Sequence, residues 1–230
     1  MLGINISKHR NILLGILKDI YSDPQIAPLL GFKGGTALYL FYNLERFSLD
    51  LDFDLLDVEK EDFVFGRVLE IVQEYGKIKD KRKKRFSIFI LLSYEEKAPN
   101  IKIEINHRQF GSRYEVKSYL GIPMKVMVPE DMFAHKMVAM YERLGKANRD
   151  IFDVWFFLKK GFEINEDIVK KRTGMELYKF LKKCVDKLEN FSEKGILSGI
   201  GELLDEKTKL QVKKNLKKDL LFLLKLKLEQ

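Results

Sequence analysis

The chain has 230 residues, with 42 Lys and Arg against 34 Asp and Glu, a formal net charge of +8 and 46% apolar residues. This composition excludes a wholly disordered protein, and the length allows one large domain or one domain with a helical appendage. The single cysteine excludes an internal disulfide and a zinc site built from cysteines, and no apolar run reaches the roughly 18 residues of a membrane span. The N-terminus has no signal-peptide pattern, so we expect a cytoplasmic protein with no membrane partner.

The first 60 residues read as a helix, a glycine turn, a second helix and a strand. Apolar residues recur at helical spacing over residues 8–22. The pair Gly34 and Gly35 then precedes an apolar helical run that begins at Thr36, a plausible N-cap residue. Residues 46–56 (RFSLDLDFDLL) alternate apolar and polar residues with period two, which predicts a half-buried strand with an acidic face.

The rest of the chain divides into a strand-rich middle and a helical C-terminal part. Residues 60–75 read as a helix, and period-two patterns separated by proline and glycine predict three or four further strands. These strands cover residues 85–94, 100–108, 113–120 and 123–128. From Pro129 onward the apolar spacing is helical. The predicted fold class is therefore α+β, with an α/β unit over residues 1–128 and a helical region over residues 129–230.

Acidic residues on the polar faces of two predicted strands are the candidate metal ligands. Asp50 and Asp52 share one strand face with Cα atoms about 7 Å apart, where two carboxylates repel by roughly 2 kcal/mol at an effective dielectric near 20. A divalent cation between them reverses that sign, which suits nucleotidyl transfer. Glu104 becomes a third ligand if its strand lies beside theirs. The alternative is that all three are solvated acids on exposed strand faces.

A glycine pair and a nearby arginine are candidates for phosphate binding. At Gly34, Gly35 and Thr36, the backbone N–H groups of a helix start can approach a phosphate. The segment lacks the lysine of a Walker A loop, and the alternative is an ordinary turn. Arg46 stands just before the acidic strand and can pair with a phosphate or with the carboxylates. The alternative for Arg46 is a surface ion pair of little energetic value.

One lysine and two aspartates of the helical part are candidates for nucleotide binding or proton transfer. Lys136 lies in an otherwise apolar stretch and can neutralise a triphosphate. Asp150 and Asp153 lie one turn apart on one face of the next helix, and one of them can orient the lysine or accept a proton. The alternative is structural, with Asp150 capping the helix and an interhelical salt bridge to the lysine.

A basic run is the candidate RNA-binding surface. Residues 77–85 (KIKDKRKKR) carry seven cations and one aspartate. Such a run can make phosphate contacts that do not depend on base sequence. The candidate RNA-binding residues within it are Lys81, Arg82, Lys83, Lys84 and Arg85. The alternative is a solvated hairpin or loop.

Taken together and in this order, these segments resemble the AbiEii/AbiGii-type nucleotidyltransferase toxins, which include the mycobacterial MenA-like toxins. The matching segments are KGGTAL at 33–38, RFSLDLDF at 46–53, KIEI at 102–105, EDxxAxK at 130–136 and RDxxD at 149–153. The resemblance covers about residues 30–160 and is specific as a set of motifs. It implies a polymerase-β-like nucleotidyltransferase fold, in which a small mixed sheet carries the acids and a helical C-terminal region closes the cleft.

The resemblance also implies an activity and partners. It implies transfer of a nucleoside monophosphate from an NTP, with Mg²⁺ or Mn²⁺, to an acceptor hydroxyl, with the 3′ end of tRNA as the expected acceptor. The protein would be the toxin of a toxin–antitoxin or abortive-infection system, with a separate antitoxin protein. The implied roles are metal binding for Asp50 and Asp52, triphosphate binding for Gly35 and Thr36, nucleotide contact for Lys136, and the late aspartate of the family for Asp150 or Asp153.

Two other functions stay open at this point. One is a nucleotidyltransferase that modifies a protein or a small-molecule hydroxyl, such as that of an aminoglycoside, with the same metal site. The other is a catalytically inactive homologue that binds nucleic acid or a partner. The joint presence of Asp50, Asp52, Lys136 and Asp150 argues against the second, since a site without activity has no physical reason to keep all four.

Overall fold

The computed structural model describes residues 5–229, which contain a seven-stranded mixed sheet and eight α-helices. The helices are α1 (Ile6–Ser22), α2 (Gly34–Tyr42), α3 (Glu61–Gln73), α4 (Pro129–Arg143), α5 (Arg149–Lys159), α6 (Glu166–Thr173), α7 (Leu177–Glu189) and α8 (Glu206–Leu228). The strands are β1 (Leu30–Lys33), β2 (Leu51–Leu55), β3 (Lys77–Lys84), β4 (Ser87–Ser93), β5 (Ile101–Asn106), β6 (Tyr114–Tyr119) and β7 (Ile122–Met127).

The chain forms two units. The first comprises Met1–Asn43, Phe47–Gln109 and Tyr114–Met127, and it contains the sheet and the helices α1 to α3. The second comprises Leu44–Arg46, Phe110–Arg113 and Val128–Gln230, and it contains the helices α4 to α8. The division into two domains at residue 128 stays a prediction.

The sheet has the strand order β3-β4-β5-β2-β1-β7-β6. β2 runs parallel to β5, and β1 runs parallel to β7, while the other neighbouring strands are antiparallel. This mixed sheet, followed by helices, confirms the predicted fold class. It also places the strand of Glu104 directly beside β2, which is the condition on which a three-carboxylate site depends.

One face of the sheet carries the core of the first unit. Phe32, Phe53, Ile105 and Ile88 lie opposite one another across β1, β2, β5 and β4, and all four are buried. α1 covers this face, where the ring of Tyr21 lies 6.3 Å from that of Phe53, and α3 packs beside it. Because successive strand residues point to opposite faces, the polar residues of these strands lie together on the other face.

Two predictions around α2 and β2 are corrected by the structure. α2 begins at Gly34 rather than at Thr36, and its N-cap residue, Lys33, makes no capping hydrogen bond through its side chain. Thr36 lies in the first turn, and its hydroxyl donates to a carbonyl oxygen outside the helix, so it is not the N-cap. The strand predicted over residues 46–56 is limited to Leu51–Leu55, since the chain before it belongs partly to the second unit.

Two helix boundaries of the second unit lie where the sequence predicts them. α4 begins at Pro129, and α5 ends at Lys159, just before Gly161 with its positive φ of 70°. Phe133 of α4 stacks on Phe157 of α5 with ring centroids 4.8 Å apart, and α5 also packs against α8. Among residues 5–229, no helix combines the length and the hydrophobicity that crossing a bilayer requires.

Candidate active site

A row of polar and aromatic side chains crosses the sheet on the face opposite the core. In the strand register, Asp52 of β2 is paired with Lys33 of β1 on one side and with Glu104 of β5 on the other. Glu104 is opposite Phe89 of β4, which is opposite Arg82 of β3. Residues paired in this way point to the same face of a sheet. Asp52 and Glu104 are therefore neighbours on the open face.

Three carboxylates meet on this face around one ammonium group. We define the acidic centre as Asp50, Asp52 and Glu104 together with Lys102. Nζ of Lys102 lies 3.1 Å from Oε2 of Glu104, 3.7 Å from Oδ1 of Asp52 and 3.8 Å from Oδ2 of Asp50. The three carboxylate side chains are 15–29% exposed, so solvent and small ions reach them. Within the centre, three negative charges and one positive charge leave a formal charge of −2.

The pKa shifts of Lys102 and Glu104 favour their ionised forms. Burial acts to lower the pKa of Lys102, but the three carboxylates around it outweigh burial and raise that pKa. Burial acts to raise the pKa of Glu104, but the charge and the hydrogen bond of Lys102 outweigh burial and lower that pKa. Lys102 and Glu104 are therefore both charged at neutral pH.

The donor set of the acidic centre suits a hard divalent cation. Carboxylate oxygens are the ligands that Mg²⁺ and Mn²⁺ prefer, and the ammonium of Lys102 already stands where such a cation would be attracted. Nζ of Lys102 lies between the carboxylates. Among the described residues, no three His, Cys, Asp or Glu side chains are arranged so that they could hold a metal ion. Metal binding therefore requires Lys102 to move aside, which its flexible stem permits.

The first residue of α2 holds Asp52 in place. Gly34 has φ 80°, and a Cβ atom built there would collide with Oδ2 of Asp52 and lie 2.8 Å from its Cβ. Only glycine permits both this backbone conformation and this close approach. The glycine therefore sets the Asp52 side chain against the N-terminus of α2.

Two buried side chains hold the backbone just before β2. The hydroxyl of Thr36 donates to the carbonyl oxygen of Asp50 at 2.5 Å. Nε2 of His9 lies 3.1 Å from the carbonyl oxygen of Leu49, which can only accept, so Nε2 carries the proton. Nδ1 then accepts from the hydroxyl of Tyr94 at 2.8 Å. These contacts position the carbonyl groups around the first ligand residue of the acidic centre.

The second acid of β2 has its own partners. Asp54 lies two residues beyond Asp52 on the same face and is buried. Its Oδ1 accepts from Nζ of Lys33 at 2.6 Å, and its Oδ2 accepts from the hydroxyl of Tyr114 at 2.6 Å. Both of its oxygens are engaged, which separates Asp54 chemically from the acidic centre.

A second group of charged side chains lies within the helical unit, and we call it the buried ion-pair cluster. It comprises Arg46, Lys136, Arg143, Asp150 and Asp153. Arg46 donates through Nε and Nη2 to the two oxygens of Asp153, at 2.6 and 2.7 Å. Nζ of Lys136 lies 2.7 Å from Asp153 and 3.2 Å from Asp150, and Arg143 donates to Asp150 at 2.6 Å. Both aspartates are fully buried.

The pKa of Asp153 shows how strongly the cluster favours its ionised form. Burial by itself acts to raise the pKa of this carboxyl group. The positive charges of Arg46 and Lys136 and their hydrogen bonds outweigh burial and lower the pKa of Asp153 to about 2. A carboxylate bound to two cations in this way is a structural anchor as well as a candidate site residue.

The contacts in the buried ion-pair cluster bear on the structural alternatives stated above for Lys136, Asp150 and Arg46. Lys136 and the two aspartates of α5 do form an interhelical ion pair. Asp150 does not cap α5, because the N-cap residue is Asn148 and Asp150 lies inside the first turn. Arg46 is not a surface ion pair, since its side chain is only 1% exposed. We therefore expect Arg46 to anchor α5, and its contact with phosphate stays a prediction.

The basic run forms the edge strand β3 of a hairpin with β4, and its role in RNA binding stays a prediction. Its cations divide between the two faces of the sheet. Arg82 is opposite Phe89 on the open face, and Lys84 shares that face two residues later. Lys81 and Lys83 are opposite buried isoleucines on the face that carries α3. Arg85 stands at the turn into β4.

A protein-family model described as "Nucleotidyl transferase AbiEii toxin, Type IV TA system" matches residues 15–222. The chain belongs to this family. It is therefore a nucleotidyltransferase of a type IV toxin–antitoxin family, and the resemblance identified from its motifs is confirmed.

Several solved structures share the fold of this chain at low sequence identity. A candidate nucleotidyltransferase from H. pylori is 22% identical, with a TM-score of 0.62 over 96% of this chain and 95% of its own. JHP933 from Helicobacter pylori is 21% identical, with a TM-score of 0.56 over 97% and 93%. An antigenic nucleotidyltransferase-like protein from Paracoccidioides brasiliensis is 13% identical, with a TM-score of 0.50 over 84% and 95%. The search of curated proteins returned no match.

Two residues described above were not identified from the sequence: Lys102, which belongs to the acidic centre, and His9, which holds the backbone beside it. Lys102 did leave a signal, because it stands two residues before Glu104 on the same face of a predicted strand. His9 left none, since its partners Leu49 and Tyr94 lie 40 and 85 positions away. The nucleotide contact expected of Lys136 is supported by the resemblance and stays a prediction.

Proposed function

We propose that this protein transfers a nucleoside monophosphate from an NTP to a hydroxyl group of an RNA, with Mg²⁺ or Mn²⁺ bound at the acidic centre. The observation that carries the proposal is the meeting of Asp50, Asp52 and Glu104 on one face of the sheet with a net formal charge of −2. Lys102 offsets only one of the three negative charges, so the charge that remains favours a divalent cation.

In the proposed reaction, Asp50 and Asp52 share one task and Glu104 has another. Asp50 and Asp52 hold the metal ions, which when bound polarise the α-phosphate and stabilise the charge on the departing pyrophosphate. Glu104, whose pKa is lowered, stays ionised and either completes the metal site or accepts the proton of the acceptor hydroxyl. The hydroxyl oxygen bonds to the α-phosphorus as the bond from that phosphorus to the β-bridging oxygen breaks. The electron pair leaves with pyrophosphate.

The N-terminus of α2 is the proposed triphosphate site. No acidic residue stands in its first turn, and no side chain caps it, so its backbone N–H groups and its dipole favour an anion. The hydroxyl of Thr36 is already bonded to Asp50, so we assign the phosphate contacts to the backbone of Gly34, Gly35 and Thr36. Lys136 keeps the nucleotide contact that the family resemblance implies, and one of Asp150 and Asp153 keeps the place of the family's late aspartate.

RNA is the proposed acceptor because of the charge of the molecule and of its edge strand. The chain has a formal net charge of +8, and seven cations fall within residues 77–85. Contacts between such cations and phosphate release counterions, so binding should weaken steeply with salt. The 3′ end of tRNA stays the expected target. As a member of a type IV toxin–antitoxin family, the protein has a cognate antitoxin as its expected partner.

Comparing two aspartates of one strand tests the metal assignment. We expect Asp52→Asn to lower the incorporation of labelled nucleotide by about a hundredfold or more and to weaken Mn²⁺ binding, because it removes a ligand charge. Asp54→Asn removes the same charge two residues away, and we expect it to keep Mn²⁺ binding because Asp54 is already paired. Full activity of Asp52→Asn, in protein shown to be folded by circular dichroism, would contradict the assignment.

A transfer assay with each labelled NTP separates the acceptor classes. Total RNA, total protein and an aminoglycoside are supplied in parallel, and we expect the label in RNA. Label in protein or in the antibiotic would replace the RNA acceptor while leaving the metal site in place.

A further inference from the structure

We infer that Phe89, with Arg82 and Lys84 over its ring, forms a docking platform for a single-stranded segment of the nucleic-acid acceptor beside the acidic centre. A base stacks on the pair formed by Arg82 and Phe89, and the two cations contact the flanking phosphates. The inference rests on the proposed function for the identity of the acceptor, and it adds the site that binds it.

The strand register sets the distance between the platform and the acidic centre. Asp52, Glu104, Phe89 and Arg82 lie opposite one another on four consecutive strands. Neighbouring strands are about 4.8 Å apart, which places Phe89 about 10 Å and Arg82 about 14 Å from Asp52 along one face of the sheet. A strand held at Phe89 therefore has its next nucleotides within reach of the carboxylates.

The chemistry of the platform is that of single-strand recognition. The guanidinium carbon of Arg82 lies 5.2 Å, and Nζ of Lys84 lies 4.1 Å, from the centroid of the Phe89 ring. Their side chains are 60% and 41% exposed. Arg82 also pairs with Asp80 at 2.8 Å, and Nζ of Lys84 lies 3.9 Å from Oε1 of Glu104. Ion pairs this exposed hold their side chains only weakly. A cationic surface combined with an aromatic ring binds unpaired bases by stacking and their phosphates by charge.

The opposite face of β3 lacks these features. Lys83 lies 2.6 Å from Asp62 and 3.5 Å from Glu61 of α3, which partly neutralise it. Lys81 shares that face and lies opposite the buried Ile90. The basic run is therefore divided, and only its open-face half lies in line with the acidic centre. An acidic protein segment would also be attracted to the cations, but it would make no use of the ring between them.

Two double variants of one strand provide matched controls. Arg82→Ala with Lys84→Ala, and Lys81→Ala with Lys83→Ala, each remove two positive charges from β3, on opposite faces. Their binding to a fluorescent single-stranded RNA decamer is measured by anisotropy at several salt concentrations, without metal or NTP. We expect the open-face pair to weaken binding about tenfold or more and to reduce the slope of log K against log salt by about 1.4. We expect the α3-face pair to weaken binding less than threefold. Equal effects of the two pairs would overturn the platform.

Variants at Phe89 test stacking separately from charge. We expect Phe89→Leu to weaken decamer binding by about five- to a hundredfold with an unchanged salt slope, and Phe89→Trp to restore it. Circular dichroism checks that both variants fold. Binding of Phe89→Leu equal to that of the original protein would overturn the stacking role. Equal affinity for a duplex of the same sequence would also overturn it, because paired bases cannot stack on the ring. Competition by polyglutamate as strong as that by the decamer would assign the face to an acidic protein instead.

The binding assay tests the platform and the transfer assay tests the proposed function, so either proposal can be contradicted while the other stands. If the protein binds the decamer as expected but transfers no nucleotide to RNA, the proposed function fails and the platform stands. If RNA is labelled as well by the open-face double variant as by the original protein, with the same KM for RNA, the platform fails and the proposed function stands.

Discussion

The acidic centre and the buried ion-pair cluster use the same kinds of side chain with opposite balances of charge. In the acidic centre, three partly exposed carboxylates share one ammonium group. In the buried ion-pair cluster, two fully buried carboxylates share three cations at hydrogen-bonding distance. The first has a formal charge of −2 at a surface, and the second has two carboxylates in an interior with three cations, a formal charge of +1.

This difference separates a binding role from a stabilising role. Carboxylates that repel one another weaken the fold slightly and gain from any divalent cation that joins them. A buried carboxylate bound to two cations gains nothing from a further ligand, and removing it leaves uncompensated charge in a region of low dielectric. The acidic centre is therefore expected to respond to ligands, and the cluster to respond to mutation and pH through stability.

Removing one acid from each region should give the largest contrast. We expect Asp153→Asn to lower the free energy of unfolding by about 3–5 kcal/mol, because Arg46 and Lys136 lose their buried counter-charge. We expect Asp50→Asn to change it by less than about 1 kcal/mol, because the loss of its attraction to Lys102 offsets the relief of repulsion from the other two acids. Urea denaturation measures both. If Asp153→Asn does not fold, the milder Arg46→Lys, which loses the two-pronged hydrogen bond, should show a smaller loss. Equal effects of Asp153→Asn and Asp50→Asn would remove the distinction between the regions.

Acid should act on the cluster at unusually low pH. The pKa of Asp153 is lowered to about 2 in the folded protein from an ordinary 3.8, so its contribution to stability is complete above pH 3.8. That contribution, about 2 kcal/mol, is lost as the pH falls from there through about 2. Carboxyl ¹³C shifts of aspartate follow the titration. A midpoint for Asp153 near 3.8 in folded protein would contradict the strength assigned to its ion pairs.

The smallest expected effect concerns the backbone beneath the acidic centre. Gly34 and Gly121 both have φ 80°, so alanine at either position carries a similar backbone strain of about 1–2 kcal/mol. A Cβ at Gly121 meets no atom within 4 Å, whereas one at Gly34 meets Asp52. We expect only Gly34→Ala to weaken Mn²⁺ binding, by about tenfold. Titration of Mn²⁺ by electron paramagnetic resonance compares the two, and equal affinities would show that Asp52 does not depend on the glycine.

Periodicity in the sequence predicted the elements that carry both regions. Alternation around Asp52 and around Glu104 indicated two strands with polar faces, and both strands are observed. Proline at position 129 and glycine at position 161 predicted a helix start and a helix stop, and both are confirmed. The N-cap assigned to Thr36 was wrong. The helix begins two residues earlier, and the Thr36 hydroxyl donates to the carbonyl oxygen of Asp50, 14 positions away.

The sequence alone was sufficient for the family, the α+β class and the strand face on which each acid lies, because motifs and side-chain alternation are local properties of a chain. The tertiary structure decided which charges meet. It placed Glu104 beside Asp52 through strand order, set Lys102 among the carboxylates, and joined Arg46 to Asp153 across 107 positions. Such contacts depend on strand register and on helix packing, and no local pattern specifies either of them.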